Sequence, residues 1–130
     1  MDKIGIKPGA RVIVSGVTDR TFTAELRAAG ATVARAAAGR NASVIFIQAD
    51  TPAALRRVGS SVRWLVPDGA LWLISPRASS SSPGARPRVT EAGALAAGRA
   101  AGLTDIKVIR FSDTHTAHKF VIPRAHRKTH

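Results

Sequence analysis

The chain has no cysteine and no tyrosine, and among its 130 residues only two tryptophans and four phenylalanines. The missing thiols exclude disulfides, thiolate metal sites and cysteine nucleophiles. The scarcity of aromatic rings leaves little with which to stack bases. No stretch approaches the roughly 18 apolar residues of a membrane span, and MDKIGIKPG at the start lacks an apolar run of signal-peptide length. The sequence expectation is a soluble cytoplasmic protein with no membrane partner. Acidic residues are also sparse: eight Asp and Glu stand against twenty Lys and Arg, for a formal net charge of +12.

That charge makes a polyanion such as nucleic acid a candidate partner. Most arginines are scattered, from Arg11 and Arg27 to Arg99 and Arg110, as a compositional bias would also scatter them. Only the tail is dense, and Arg124, Arg127 and Lys128 are its candidate phosphate contacts. The alternative for them is a solubilising end that frays.

The length fits one domain, expected over 1–123 with a basic tail at 124–130. Hydrophobic patterning gives the element order β-α-β-β-α-β-α-β-β. Pro8-Gly9 marks a turn, and Arg11 to Val17 is an apolar, β-branched run of the kind buried on both faces of a sheet. Phe22 and Leu26 share one face of the helix that follows, which Gly30 ends. A weaker strand surrounds Thr32-Val33. Ser43 to Ala49 is the cleanest strand, and Asp50-Thr51-Pro52 opens the next helix with Asp50 or Thr51 as cap; that helix is expected to run to about Val66, with Gly59 a point at which it could break. Pro67-Asp68-Gly69 reads as a turn before a strand at Ala70 to Ser75. The serine- and proline-rich 76–89 region reads as a mobile loop. Thr90 caps an alanine-rich helix ending near Gly102, and Asp105 to Phe111 and Ala117 to Ile122 form a hairpin. Strands alternating with helices imply an α/β, Rossmann-like three-layer domain. Its sheet is mostly parallel, with about six strands and one antiparallel strand from the hairpin. An open sheet edge near Ala31 to Ala37 is a candidate for pairing between chains.

Several motifs carry a resemblance. Lys7-Pro8-Gly9 before a strand ending in Gly16, and Pro67-Asp68-Gly69-Ala70-Leu71-Trp72-Leu73-Ile74, resemble framework motifs of class I S-adenosylmethionine-dependent methyltransferases. More narrowly, GIKPGARVIV, SVIFI, LVPDGALWLISP, AAGLTDIKV and HKFV are similar to motifs of short uncharacterised bacterial proteins, the domain of unknown function 3052 family. The resemblance implies a minimal methyltransferase-like shell.

The departures matter for function. The first strand runs into a single glycine, Gly16, where the methyltransferases have several. The segment after the second strand, from Arg35 to Arg40, offers no acidic residue for ribose hydroxyls. The helix and strand that ordinarily come next are missing, because the chain reaches Ser43 at once. The expectation is therefore a relative without catalysis and without a cofactor, with an interaction role or a small anionic ligand. The alternatives are a methyltransferase-like enzyme with an atypical loop and a low-specificity nucleic-acid binder.

The expected crevice is the edge beyond Gly16, Asp50 and Ser75. Thr18, Asp19 and Arg20 would face it at a helix N-terminus, where anions bind; the competing reading is a cap with a solvated arginine. Asp50 is read as a helix cap before it is read as a ligand group. His115 and His118 are three apart, a spacing that on a strand sends them to opposite faces, so no metal site is expected.

Overall fold

The computed structural model describes residues 8–17, 20–35, 41–76, 89–112 and 114–123. Six strands and three helices follow in the expected order: β1 (Arg11–Ser15), α1 (Arg20–Ala28), β2 (Thr32–Arg35), β3 (Ala42–Gln48), α2 (Pro52–Ser61), β4 (Leu65–Pro76), α3 (Glu91–Ala100), β5 (Thr104–Arg110) and β6 (His115–Val121). They form one sheet in the order β2-β1-β3-β4-β6-β5. Neighbours from β2 through β1 and β3 to β4 are parallel, and β6 is antiparallel to both β4 and β5. The α/β class and the single antiparallel strand are thus as expected.

The apolar runs explain the layers. In β3, Ile45 and Ile47 point to one face and Phe46 to the other, and all three are fully buried. Leu71 and Leu73 join the isoleucines in a cluster completed by Val58 of α2, Ala94 of α3 and Phe120 of β6. Trp72 and Ile74 join Phe46 on the opposite face, under Phe22 and Leu26 of α1. Phe22 stands edge-on to Phe46 at 4.8 Å between ring centroids. Strands apolar on both faces need helices on both sides, and the chain supplies them.

Some boundaries differ from expectation: β6 starts at His115, two residues before the expected Ala117, and β5 runs from Thr104 to Arg110. β1 stops at Ser15, because Gly16 turns the chain with φ +73°. Helix α2 passes through Gly59 without a break and ends at Ser61; a short 3₁₀ turn, Val62–Trp64, leads straight into β4. Pro67-Asp68-Gly69 lies inside β4 instead of preceding it. Between the pairs Ala42–Leu65 and Val44–Ala70, two steps along β3 match five along β4, so the turn residues form a bulge. Gly69 is required there: a Cβ would lie 2.8 Å from Leu65 Cδ1 and 2.9 Å from the Ser43 carbonyl oxygen. Of the 76–89 region, Pro76 ends β4 and Val89 is buried in the core. The intervening residues 77–88 lie outside the described set, as does the 124–130 tail with Arg124, Arg127 and Lys128. Among the described residues no helix is long and apolar enough to cross a membrane. The edge strand near Ala31 to Ala37 is β2.

Two helical glycines give opposite predictions for one substitution. A Cβ on Gly98 of α3 would lie 2.1 Å from Phe120 Cε1, against a ring locked in the core, whereas a Cβ on Gly59 of α2 meets nothing within 4 Å. Gly59→Ala is expected to stabilise by about 0.5–1 kcal/mol through helix propensity. Gly98→Ala gains the same term but overpacks the core by about 1–3 kcal/mol. Urea midpoints should therefore rise for the first and fall for the second.

Candidate functional site

The chain moves outward in two directions from the centre of the sheet. β1 leads through α1 to β2 on one side, and β3 leads through α2 to β4 on the other. Strand order reverses between β1 and β3, and ligands of such sheets bind at the carboxyl ends flanking that point. Here the edge carries Gly16 after β1 and Asp50 after β3. Because β6 runs antiparallel, its first residue, His115, arrives at the same edge, paired with Pro76 at the end of β4.

Gly16 is tightly enclosed. A Cβ at this position would lie 2.6 Å from Arg57 Nη1 and 3.2 Å from the Gln48 carbonyl oxygen. The exposed Arg57 therefore reaches from α2 across the carboxyl edge and lays its guanidinium on the Gly16 backbone. Among the described residues no carboxylate pairs with it. The left-handed φ alone would cost alanine about 1–2 kcal/mol.

Asp50 does not cap α2. Thr51 does, with extended backbone (φ −131°, ψ 153°) and Oγ1 accepting the Ala54 N–H at 3.3 Å; Pro52 fills the first helical position. Asp50 is thereby left for other contacts. Its Oδ1 lies 2.7 Å from His115 Nε2, and its Oδ2 accepts from Gln48 Nε2 at 3.0 Å. The other ring nitrogen, His115 Nδ1, is 2.8 Å from Thr114 Oγ1. Of the two expected cap candidates, Thr51 performs the capping, and Asp50, favoured as a cap over a ligand group, instead faces the edge.

The remaining expected residues divide. Thr18 and Asp19 lie outside the described residues, and Arg20 opens α1. Ser75 sits at the carboxyl end of β4, but it alternates with Leu71 and Leu73 and so faces the α2–α3 layer, while His115 alternates with Ala117 and faces the α1 layer. Ser75 Oγ is buried with no hydrogen-bond partner among the described residues. It shares the edge with Asp50 and His115 but not their face. His118 points the other way from His115, is buried, and places Nε2 3.5 Å from Glu91 Oε1 at the start of α3. The two histidines thus meet different carboxylates on opposite faces of the sheet, as their spacing implies.

Sequence reasoning missed Arg57 and the pairing of His115 with Asp50. Arg57 is one of many arginines, and only the packing of α2 selects it. The His115 contact depends on the β4–β6 register, which alternation alone does not set. The register does contain a signal in retrospect: the hairpin turn of an antiparallel last strand must return to the carboxyl edge.

No family model matches the chain, and no curated protein does. Solved structures do. A SAM dependent methyltransferase from Aquifex aeolicus superposes with a TM-score of 0.73 at 12% identity, covering 94% of this chain and 87% of its own. The N-methyltransferase NodS from Bradyrhizobium japonicum gives 0.62 at 14% identity, covering 91% and 88%. The fibrillarin pre-rRNA processing protein of Methanococcus jannaschii gives 0.61 at 13%, covering 90% and 68%. At these identities the likeness is one of architecture.

Two substitutions separate the roles at the edge. Thr51→Ala is expected to lower stability by about 1 kcal/mol through loss of the cap. Asp50→Ala, which removes an exposed side-chain hydrogen bond to His115, is expected to cost less than that. Thermal unfolding of both variants checks the order. By its sheet, its strand order and its structural neighbours, the chain has the methyltransferase-like Rossmann fold.

Proposed function

We propose that this protein binds a small anionic ligand, a carboxylate or phosphate, at the carboxyl edge of the sheet between β1 and β3. The observation that carries the reading is the Arg57 guanidinium lying on Gly16 at the point of strand reversal. A guanidinium offers a fork of donors that matches such oxygens. Glycine lets the guanidinium lie against the backbone there, and no acidic side chain competes for the cation among the described residues. The start of α1 beside Gly16, where Thr18, Asp19 and Arg20 stand in the sequence, adds the favourable end of a helix.

A second reading is an S-adenosylmethionine-dependent enzyme. It is favoured by the superposition with the Aquifex aeolicus protein over 94% of this chain. Against it stand the single glycine and the lack of acidic residues from Arg35 to Arg40. The motifs quoted above also support kinship with the domain of unknown function 3052 family, a narrower placement that rests on those motifs alone. A polyanion role for Arg124, Arg127 and Lys128 rests on net charge and the tail sequence.

Calorimetric titration separates the readings. Inorganic phosphate and adenosine 5′-monophosphate, at low-millimolar concentration, are expected to give saturable heat and to raise the melting temperature. Arg57→Gln should weaken that binding about tenfold or more, the loss of a charge-assisted hydrogen bond. Equal affinity in the variant, or no heat with either probe, would sink the anion reading. Saturable binding of S-adenosylmethionine, with no effect of phosphate, would establish the second reading in its place.

A further inference from the structure

The turn that joins β5 to β6 contains a chain of hydrogen bonds whose direction can be worked out. Ser112 Oγ accepts the Thr114 N–H at 3.3 Å and the His115 N–H at 3.1 Å. With both lone pairs used, its own proton goes to Thr114 Oγ1, 3.3 Å away. In the neutral ring with its proton on Nε2, Thr114 gives its hydroxyl proton to His115 Nδ1 at 2.8 Å. Nδ1 accepts only when the ring proton is on Nε2. Nε2 faces Asp50 Oδ1 at 2.7 Å, and a carboxylate only accepts. Gln48 Nε2 holds the other carboxylate oxygen at 3.0 Å. With the imidazole neutral, the bonds run from Ser112 through Thr114 and His115 to Asp50.

This order of groups activates a hydroxyl. A carboxylate fixes the imidazole tautomer, the imidazole is ready to take a proton, and the hydroxyl oxygen keeps one lone pair outward. Exposure fits the roles: Thr114 is open to solvent, while the His115 side chain is only 19% exposed. We propose that Thr114 is a nucleophilic hydroxyl that accepts an acyl group from activated esters, with His115 as its general base and Asp50 as a positioning residue. Thr114 Oγ1 forms a bond to the acyl carbon, and its proton passes to His115 Nδ1. The bond from the acyl carbon to the leaving oxygen breaks, and that oxygen departs with the electron pair and takes up the proton from Nδ1. The product is an O-acyl threonine. The backbone N–H groups of Phe111, Ser112, Thr114 and His115 are all engaged within the turn, so none is free to hold an oxyanion. The site therefore suits donors with a good leaving group.

The probe is p-nitrophenyl acetate on the full chain, followed by nitrophenolate release, intact mass and peptide mapping. One acetyl group is expected on Thr114. Thr114→Ser should keep it and Thr114→Val should lose it. His115→Gln should slow the acetylation roughly a hundredfold, the range of a general base. Asp50→Asn should also slow it, and nitrogen-15 spectra of the imidazole should show loss of the Nε2–H tautomer. That spectral change separates positioning from a loss of fold, which circular dichroism reads for every variant. Acetylation confined to lysines and the amino terminus overturns the proposal, as does Thr114 acetylation at an unchanged rate in a folded His115→Gln.

Discussion

Burial of both faces of β3 and β4 governs this structure. Ile45, Ile47, Leu71 and Leu73 on one side, and Phe46, Trp72 and Ile74 on the other, have no exposure to speak of. A ribbon apolar on both faces is stable only with a layer above and a layer below. Connections between parallel strands are right-handed, so covering opposite faces means moving in opposite directions from the centre. The reversal between β1 and β3 follows, and with it the gap where the two connections part. The gap that forms the candidate site is thus a geometric result of how the core is closed.

The same constraint explains what was legible in the sequence. Runs such as Val12-Ile13-Val14 and Val44-Ile45-Phe46-Ile47 announce strands, and Phe22 with Leu26 announces a helix face, because burial dictates them. The layers and the antiparallel last strand follow from their order. Pro67-Asp68-Gly69 misled because a bulge and a turn use the same residues: both need an exposed, backbone-permissive segment, and only pairing with Ala42 to Val44 tells them apart. Gly59 suggested a break that α2 does not make, since Val58 anchors that turn in the core. At the edge, Gly16 and Asp50 were legible as positions past strand ends. Which groups they meet was not, because Arg57 and His115 reach them through helix packing and strand register.

The two proposals draw on different physics at one edge. The anion reading depends on a charge placed against a bare stretch of backbone. The acyl-acceptor reading depends on hydrogen bonds that fix one another's direction and so polarise one another. Neither borrows from the core beyond its position. His118, which does enter the core, meets Glu91 at the start of α3 and belongs to the opposite layer.

The antiparallel course of β6 has an effect on how this protein can change over time. Ser112 and Thr114 of its turn lie outside the strand ladder and bury no core surface, whereas His115 is already in the ladder, paired with Pro76. The two hydroxyls behind His115 can therefore be exchanged without loosening the sheet that presents the imidazole. In this fold, novelty in chemistry is most accessible at the hairpin tip, and conservatism is enforced two strands away.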